Sequence, residues 1–384
     1  MALKVGDWIE VRSKQEILNT LDAEGRLDGL PFMPEMFQHC GRRLRVHKRA
    51  HKTCDTATRT GGRRLPDGIH LDLRCDGKAH GGCQAACLLF WKEVWLKPIE
   101  GPTAAAEPIQ IASGGSRTAG CSEQQVYDAT CHKHLGETRY VCQATELPRY
   151  TSRLRWWNFL QYLEDYRSGN ISMGRLLRGL AYACFNQFPY RLKQLAPAFQ
   201  WLYDRVQALW GGIPYPRRMG TIPVGQSTPS ATLNLQPGEL VRVKSYKDIL
   251  ATVDASNKNA GLFFDAELVP YCGGTYRVKG RIHQFVDEAT GKMSYLKTPA
   301  VILDTVWCQS RYSPCRMFCP RSIYSWWREV WLERVPEEVP VAVQNPSQGQ
   351  RPVKLPTKPE LVGASAASAT LELAGAPHRE VKVS

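Results

Sequence analysis

Nowhere in the 384 residues does an apolar run approach the roughly 18 to 20 residues that a membrane span requires, and no apolar leader core follows Met1. Neither an integral membrane segment nor export is expected. Equally absent are the short signatures of familiar enzyme and nucleotide sites: there is no Walker loop, no GxGxxG after a strand, no GxSxG and no HExxH. Charged residues make up only 22% against 43% hydrophobic, which excludes a wholly disordered chain and leaves apolar material for two or three domains with real cores. A non-enzymatic protein is the first expectation.

The net charge of +14 directs attention to polyanions. Its excess is spread over every segment, however, and a nucleic-acid footprint usually gathers on one face or arm. A protein partner is expected, and nucleic acid is the less favoured one. What the chain has in quantity is sulfur, with thirteen cysteines. In the absence of an export signal these point to a reduced, cytoplasmic protein and to metal ligation rather than disulfides.

The cysteines follow an internal repetition. Arg74 to Leu96 reads RCDGKAHGGCQAACLLFWKEVWL, and Trp307 to Leu332 reads WCQSRYSPCRMFCPRSIYSWWREVWL. Cys75, Cys83 and Cys87 thus answer to Cys308, Cys315 and Cys319. Upstream, GDWIEVRSKQEILNTLD from Gly6 matches GELVRVKSYKDILATVD from Gly238, and Gly29, Leu30, Glu35 and Cys40 match Gly261, Leu262, Glu267 and Cys272. The chain reads as a duplicated module with four cysteines per copy.

A tetrahedral thiolate site takes four sulfurs at about 2.3 Å from one ion, and each copy offers a distant cysteine plus a tight trio. His51 and His283 also match across the copies and stand as alternatives to Cys40 and Cys272, as does His80 in the first copy only. Mid-chain, Cys121, Cys131 and Cys142, with His132 or His134, form a candidate third set. Zinc suits a structural site that closes a small module; an iron–sulfur cluster on the same thiolates is the alternative. Cys54 is the candidate nucleophile for a thiol-dependent enzyme, with His51 three residues away, although Val286 occupies its place in the second copy.

Alternating segments such as VGDWIEVR predict half-buried strands, and Lys14 to Leu21 predicts a short helix capped by Ser13. The expected fold is α+β: two small SH3-like β-barrel modules with cysteine-rich metal insertions, flanking a helical middle. The layout is a first module at 1–100, a linker at 101–120 and a Cys/His patch with helices at 121–212. A second linker at 213–236, a second module at 237–335 and a disordered tail at 336–384 complete it. Arg43, Arg45, His47, Arg49 and His51 fall on one face of a strand, as do Arg277, Lys279, Arg281 and His283, and are read as solvated edge strands. Trp156, Trp157, Trp201 and Trp210 lie in helical patterns and are read as core, with a membrane-surface or partner face as the alternative.

The repeated stretches, GDWIEV, GLPFMPEM, the first cysteine trio with KEVWL and CRMFCPR with WWREVWLERV, resemble an uncharacterised family of bacterial proteins with a duplicated cysteine-rich module. That resemblance implies no activity, ligand or partner. The expected function is a zinc-stabilised binding or scaffold protein, with an iron–sulfur redox accessory protein and a thiol enzyme using Cys54 as alternatives.

Overall fold

A computed structural model describes residues 2–58, 60–101, 120–134, 136–191, 195–209 and 211–336. The tail beyond 336, most of the first linker and Trp210 lie outside the described residues. The protein is mixed and strand-rich, with small sheets and few helices.

In the first half, Trp8–Val11 lies between Leu96–Pro98 and Arg43–Arg45, both antiparallel. In the second half, Leu240–Val243 lies between Leu332–Arg334 and Thr275–Val286 in the same order. A short helix follows the first strand of each half, Lys14–Leu18 and Tyr246–Leu250, and a serine caps both, Ser13 accepting from the Glu16 amide and Ser245 from the Asp248 amide. Each half ends on a pair of buried tryptophans around a tight turn. Trp95 Nε1 donates to Thr20 Oγ1 at 3.0 Å and Trp331 Nε1 to Thr252 Oγ1 at 2.9 Å.

No closed barrel is found among the described residues, which corrects the SH3-like expectation. The sheets are open and have two, three or five strands. In the second half the five-stranded sheet runs through the long strands Thr275–Val286 and Met293–Trp307, and its two edge strands, Tyr324–Trp327 and Leu332–Arg334, do not pair with each other. In the first half, turns break the basic segment into Arg43–Arg45, Lys48–Arg49 and Lys52–Asp55, which join three different sheets. In both halves the last two strands are short and separated by a 3₁₀ turn, Glu93–Trp95 or Glu329–Trp331.

Each half has its own apolar core. Ile9, Val11, Ile17, Leu30, Met36, Trp91 and Trp95 are fully buried in the first, and Val241, Val243, Ile249, Val301, Trp327 and Trp331 in the second. Cys121, Val126, Leu147 and Tyr150 pack into the first core. The segment 213–236 has no helix or strand of its own, yet Leu235 is fully buried in the second core. The cysteine-rich insertion of each half packs on the other half's hairpin: the Cys54 amide donates to Cys319 Sγ at 3.1 Å, and the Val286 amide to Cys83 Sγ at 3.3 Å.

The basic strand faces are tied up internally. Arg43 pairs with Glu10, Arg45 lies over the Trp8 ring, Lys279 faces Asp304, and Arg281 pairs with Glu329. Arg49 is buried rather than solvated and pairs with Glu93 and Glu164. Few of these cations are left to contact phosphates.

His70 is fully buried, with Nδ1 2.8 Å from the Leu89 carbonyl and the Phe90 ring alongside. Burial lowers its pKa to about 3. Below about pH 6.5 the unfolded chain therefore binds a proton that the folded chain refuses, and stability falls by about 1.4 kcal/mol per pH unit as pH drops toward 3. Urea unfolding at pH 7 and pH 5 should show a loss of about 2 kcal/mol from this residue. A His70→Asn variant should lose less than the parent over that interval; equal losses would remove His70 from the account.

Candidate metal centre

The donors that converge are Glu35, Cys75 and His80, whose ligand atoms all lie within 4.8 Å of one another. No other group of three His, Cys, Asp or Glu donors does so among the described residues. Donors bonded at about 2.0 to 2.3 Å around a tetrahedral ion sit roughly 3.3 to 3.8 Å apart, so a small contraction suffices.

Each side chain is held by local structure that the sequence dictates. Glu35 stands near the start of the 3₁₀ helix Pro34–His39, which Pro34 can open because the first turn needs no amide donor there. His80 ends the 3₁₀ turn Lys78–His80, flanked by Gly77 and Gly81, both left-handed at φ 71° and 62°. A Cβ at Gly77 would meet the Cys83 carbonyl oxygen at 1.9 Å, so only glycine lets this turn fold back on itself. Cys75 is fixed by its amide, which donates to the Cys87 carbonyl at 2.8 Å.

The electrostatics favour a cation. Both Glu35 carboxylate oxygens and His80 Nδ1 are buried, and the carboxylate is met by no donor other than the Cys75 thiol. His80 Nε2 lies 3.0 Å from the Val141 carbonyl, which takes its proton and leaves the Nδ1 lone pair facing the cluster. A carbonyl behind the imidazole is the usual orienting partner of a metal-bound histidine. Burial also lowers the His80 pKa, keeping the ring neutral and able to ligate. Burial, and then the Glu35 charge, push the Cys75 thiol strongly upward, as expected of a thiol beside a carboxylate with no cation between them.

Cys75, His80, Cys83, Cys87 and Cys142 line one cavity of about 30 Å³, with Arg321 from the second half. That is room for one or two waters or a single ion. Cys83 and Cys87 thus share the site's surroundings without closing on its donors. Cys142 joins the same cavity, whereas Cys121 is buried against Gly25 and Cys131 lies in the ribbon Cys131–His134 with Glu137–Tyr140. The mid-chain set is therefore not brought together.

The other sequence candidates lie elsewhere. Cys40 is half-buried near Lys14, and Cys272 packs against the second core. His51 Nε2 lies 3.3 Å from Asp165 Oδ1, and the backbone amide of His283 donates to Gln84 while its side chain is exposed. Cys315 is exposed. Cys308 lies near Glu267, the counterpart of Glu35, but no histidine answers His80 there. Instead the Tyr312 amide donates to Glu267 Oε1 at 2.6 Å. The second half thus meets one oxygen of its buried carboxylate with a backbone amide, where the first half offers Glu35 only the Cys75 thiol.

Cys54 is buried beside Cys319. The Cys319 thiol donates to it, and Arg321 and Arg316 stand near, which together lower the Cys54 pKa against the opposing effect of burial. The base that sequence spacing offered it, His51, has Nε2 at 3.3 Å from the Gln161 carbonyl and from Asp165 Oδ1. No helix among the described residues is long and apolar enough to cross a membrane. No family model, curated protein or solved structure matches the chain.

Proposed function

We propose that the protein is a non-enzymatic, zinc-stabilised binding protein of the reducing cytoplasm, built from two copies of one module of which the first carries the metal. The observation that carries this reading is the buried Glu35 carboxylate, met by no donor other than the Cys75 thiol, beside the His80 nitrogen that is turned away from Val141. A mixed oxygen, sulfur and nitrogen set suits zinc, whereas an iron–sulfur cluster draws on several thiolates together. Three protein donors leave a fourth position for water or for one of the cavity thiols. The recurring strand order, serine-capped helix and tryptophan pair support the duplication. All thirteen cysteines are free, in keeping with a reducing compartment.

The test is elemental analysis of the purified full chain. A colourless protein with about one zinc per chain supports the reading. A brown protein absorbing near 400 nm makes it an iron–sulfur protein, and a metal-free, fully folded chain removes the centre altogether.

A further inference from the structure

Two of the helices between the two halves leave large apolar side chains exposed. In Leu160–Arg167 the buried positions are Gln161, Tyr162 and Asp165, while Leu160 and Leu163 face solvent. Just before that helix, Phe159 is 78% exposed. In Ala196–Ala208 no residue is buried, and Trp201 is 60% exposed. The reading of Trp156, Trp157 and Trp201 as core is thereby overturned, since all three are about half exposed or more.

The charge around this face has one sign. Residues 151–209 contain three acidic side chains, and each is paired: Glu164 with Arg49, Asp165 with Lys52, and Asp204 with Arg218. The exposed charges among the described residues of this stretch are Arg153, Arg155, Arg167, Arg178 and Arg205. Two of them lie over exposed indoles, Arg155 over Trp157 at 5.2 Å and Arg205 over Trp201 at 5.3 Å.

We propose that this helical face docks on an anionic phospholipid surface. Leucine, phenylalanine and tryptophan would enter the boundary between headgroups and acyl chains, while the arginines meet lipid phosphates. A second copy of the chain fits poorly, because five exposed arginines would face five more across a symmetric contact. The inference names a partner for the binding protein proposed above and rests on that reading only in its binding part. It does not need the metal, and zinc content measured on the same samples separates the two.

The experiment is co-sedimentation of the full chain with phosphatidylcholine vesicles, with and without phosphatidylglycerol. Binding is expected only with the anionic lipid and should weaken with salt. Phe159→Ser with Leu160→Ser should weaken it at least about tenfold, through lost apolar insertion. Arg155→Gln, Arg178→Gln and Arg205→Gln should each weaken it roughly fivefold. All variants should keep the parent's circular dichroism, because the substituted side chains are exposed. Absence of binding to anionic vesicles, or binding that none of these changes reduces, overturns the proposal. So does a parent dimer that the Phe159, Leu160 variant turns into a monomer, which would assign the face to self-association.

Discussion

Replacing Cys75 with alanine should release the bound zinc and lower the melting temperature by roughly 10 °C. A ligand that binds only the folded state adds about 4 kcal/mol when present at about a thousand times its Kd. In a folding unit of 150 to 250 residues, each kcal/mol moves the melting point by about 2 to 4 °C. His80→Ala should act similarly, but it also removes the hydrogen bond to Val141. A chelator separates the metal from that loss: it should destabilise the parent by the same amount and leave the Cys75→Ala protein unmoved. Cys315→Ser is the control, because that thiol is exposed and outside the cluster. If the Cys75→Ala protein keeps its zinc and its melting point, the three donors are only a buried polar cluster.

Of the three donors, Cys75 and His80 are candidate ligands in the sequence and Glu35 is not. Cys75 stood out because it recurs as Cys308, and Glu35 recurred as Glu267 without being read as a ligand. A carboxylate in a repeat is usually a cap or a surface charge. Only its burial at 8% exposure, with no donor beyond the Cys75 thiol, marks it as more. Spacing alone made Cys83 and Cys87 look like the partners of Cys75. His80 stands in the sequence as an alternative to Cys40, but spacing gives no sign that the two left-handed glycines around Lys78–His80 bring it to Cys75 ahead of either thiol.

The fold divides in the same way. The Ser13-capped helix and the first strand follow from local pattern, and the structure has both, shorter than expected, as Lys14–Leu18 and Trp8–Val11. Barrel closure depends on how far the last strands run, and the hydrophobic pattern around Trp91 and Trp327 does not encode the tight turns that stop them. The outward leucines of Leu160–Arg167 were illegible for a different reason. Apolar periodicity says which residues share a face, but the burial of Asp165 decides which face points in.

That decision can be tested at Asp165, where substitution by alanine should cost about 3 to 5 kcal/mol. The carboxylate is fully buried and lies 2.5 Å from Lys52 Nζ, which also donates to the Met317 carbonyl at 2.8 Å. Lys52 comes from the first half, Asp165 from the helical segment and Met317 from the second half. The rings of Tyr162 and Phe318 flank the ammonium at 5.0 and 5.8 Å. Without Asp165 the lysine keeps a carbonyl, a weak amide contact and two ring faces, too little to offset its removal from water. Burial already pulls the Lys52 pKa down, with Asp165 opposing. The double change Lys52→Met with Asp165→Leu removes both charges and fills similar volume, so it should return to within about 1 to 2 kcal/mol of the parent. Urea unfolding of the parent, both single variants and the double variant measures the coupling. A single-variant loss under about 1 kcal/mol would mean that water reaches Lys52. The pair would then not be what turns the apolar side of Leu160–Arg167 toward solvent.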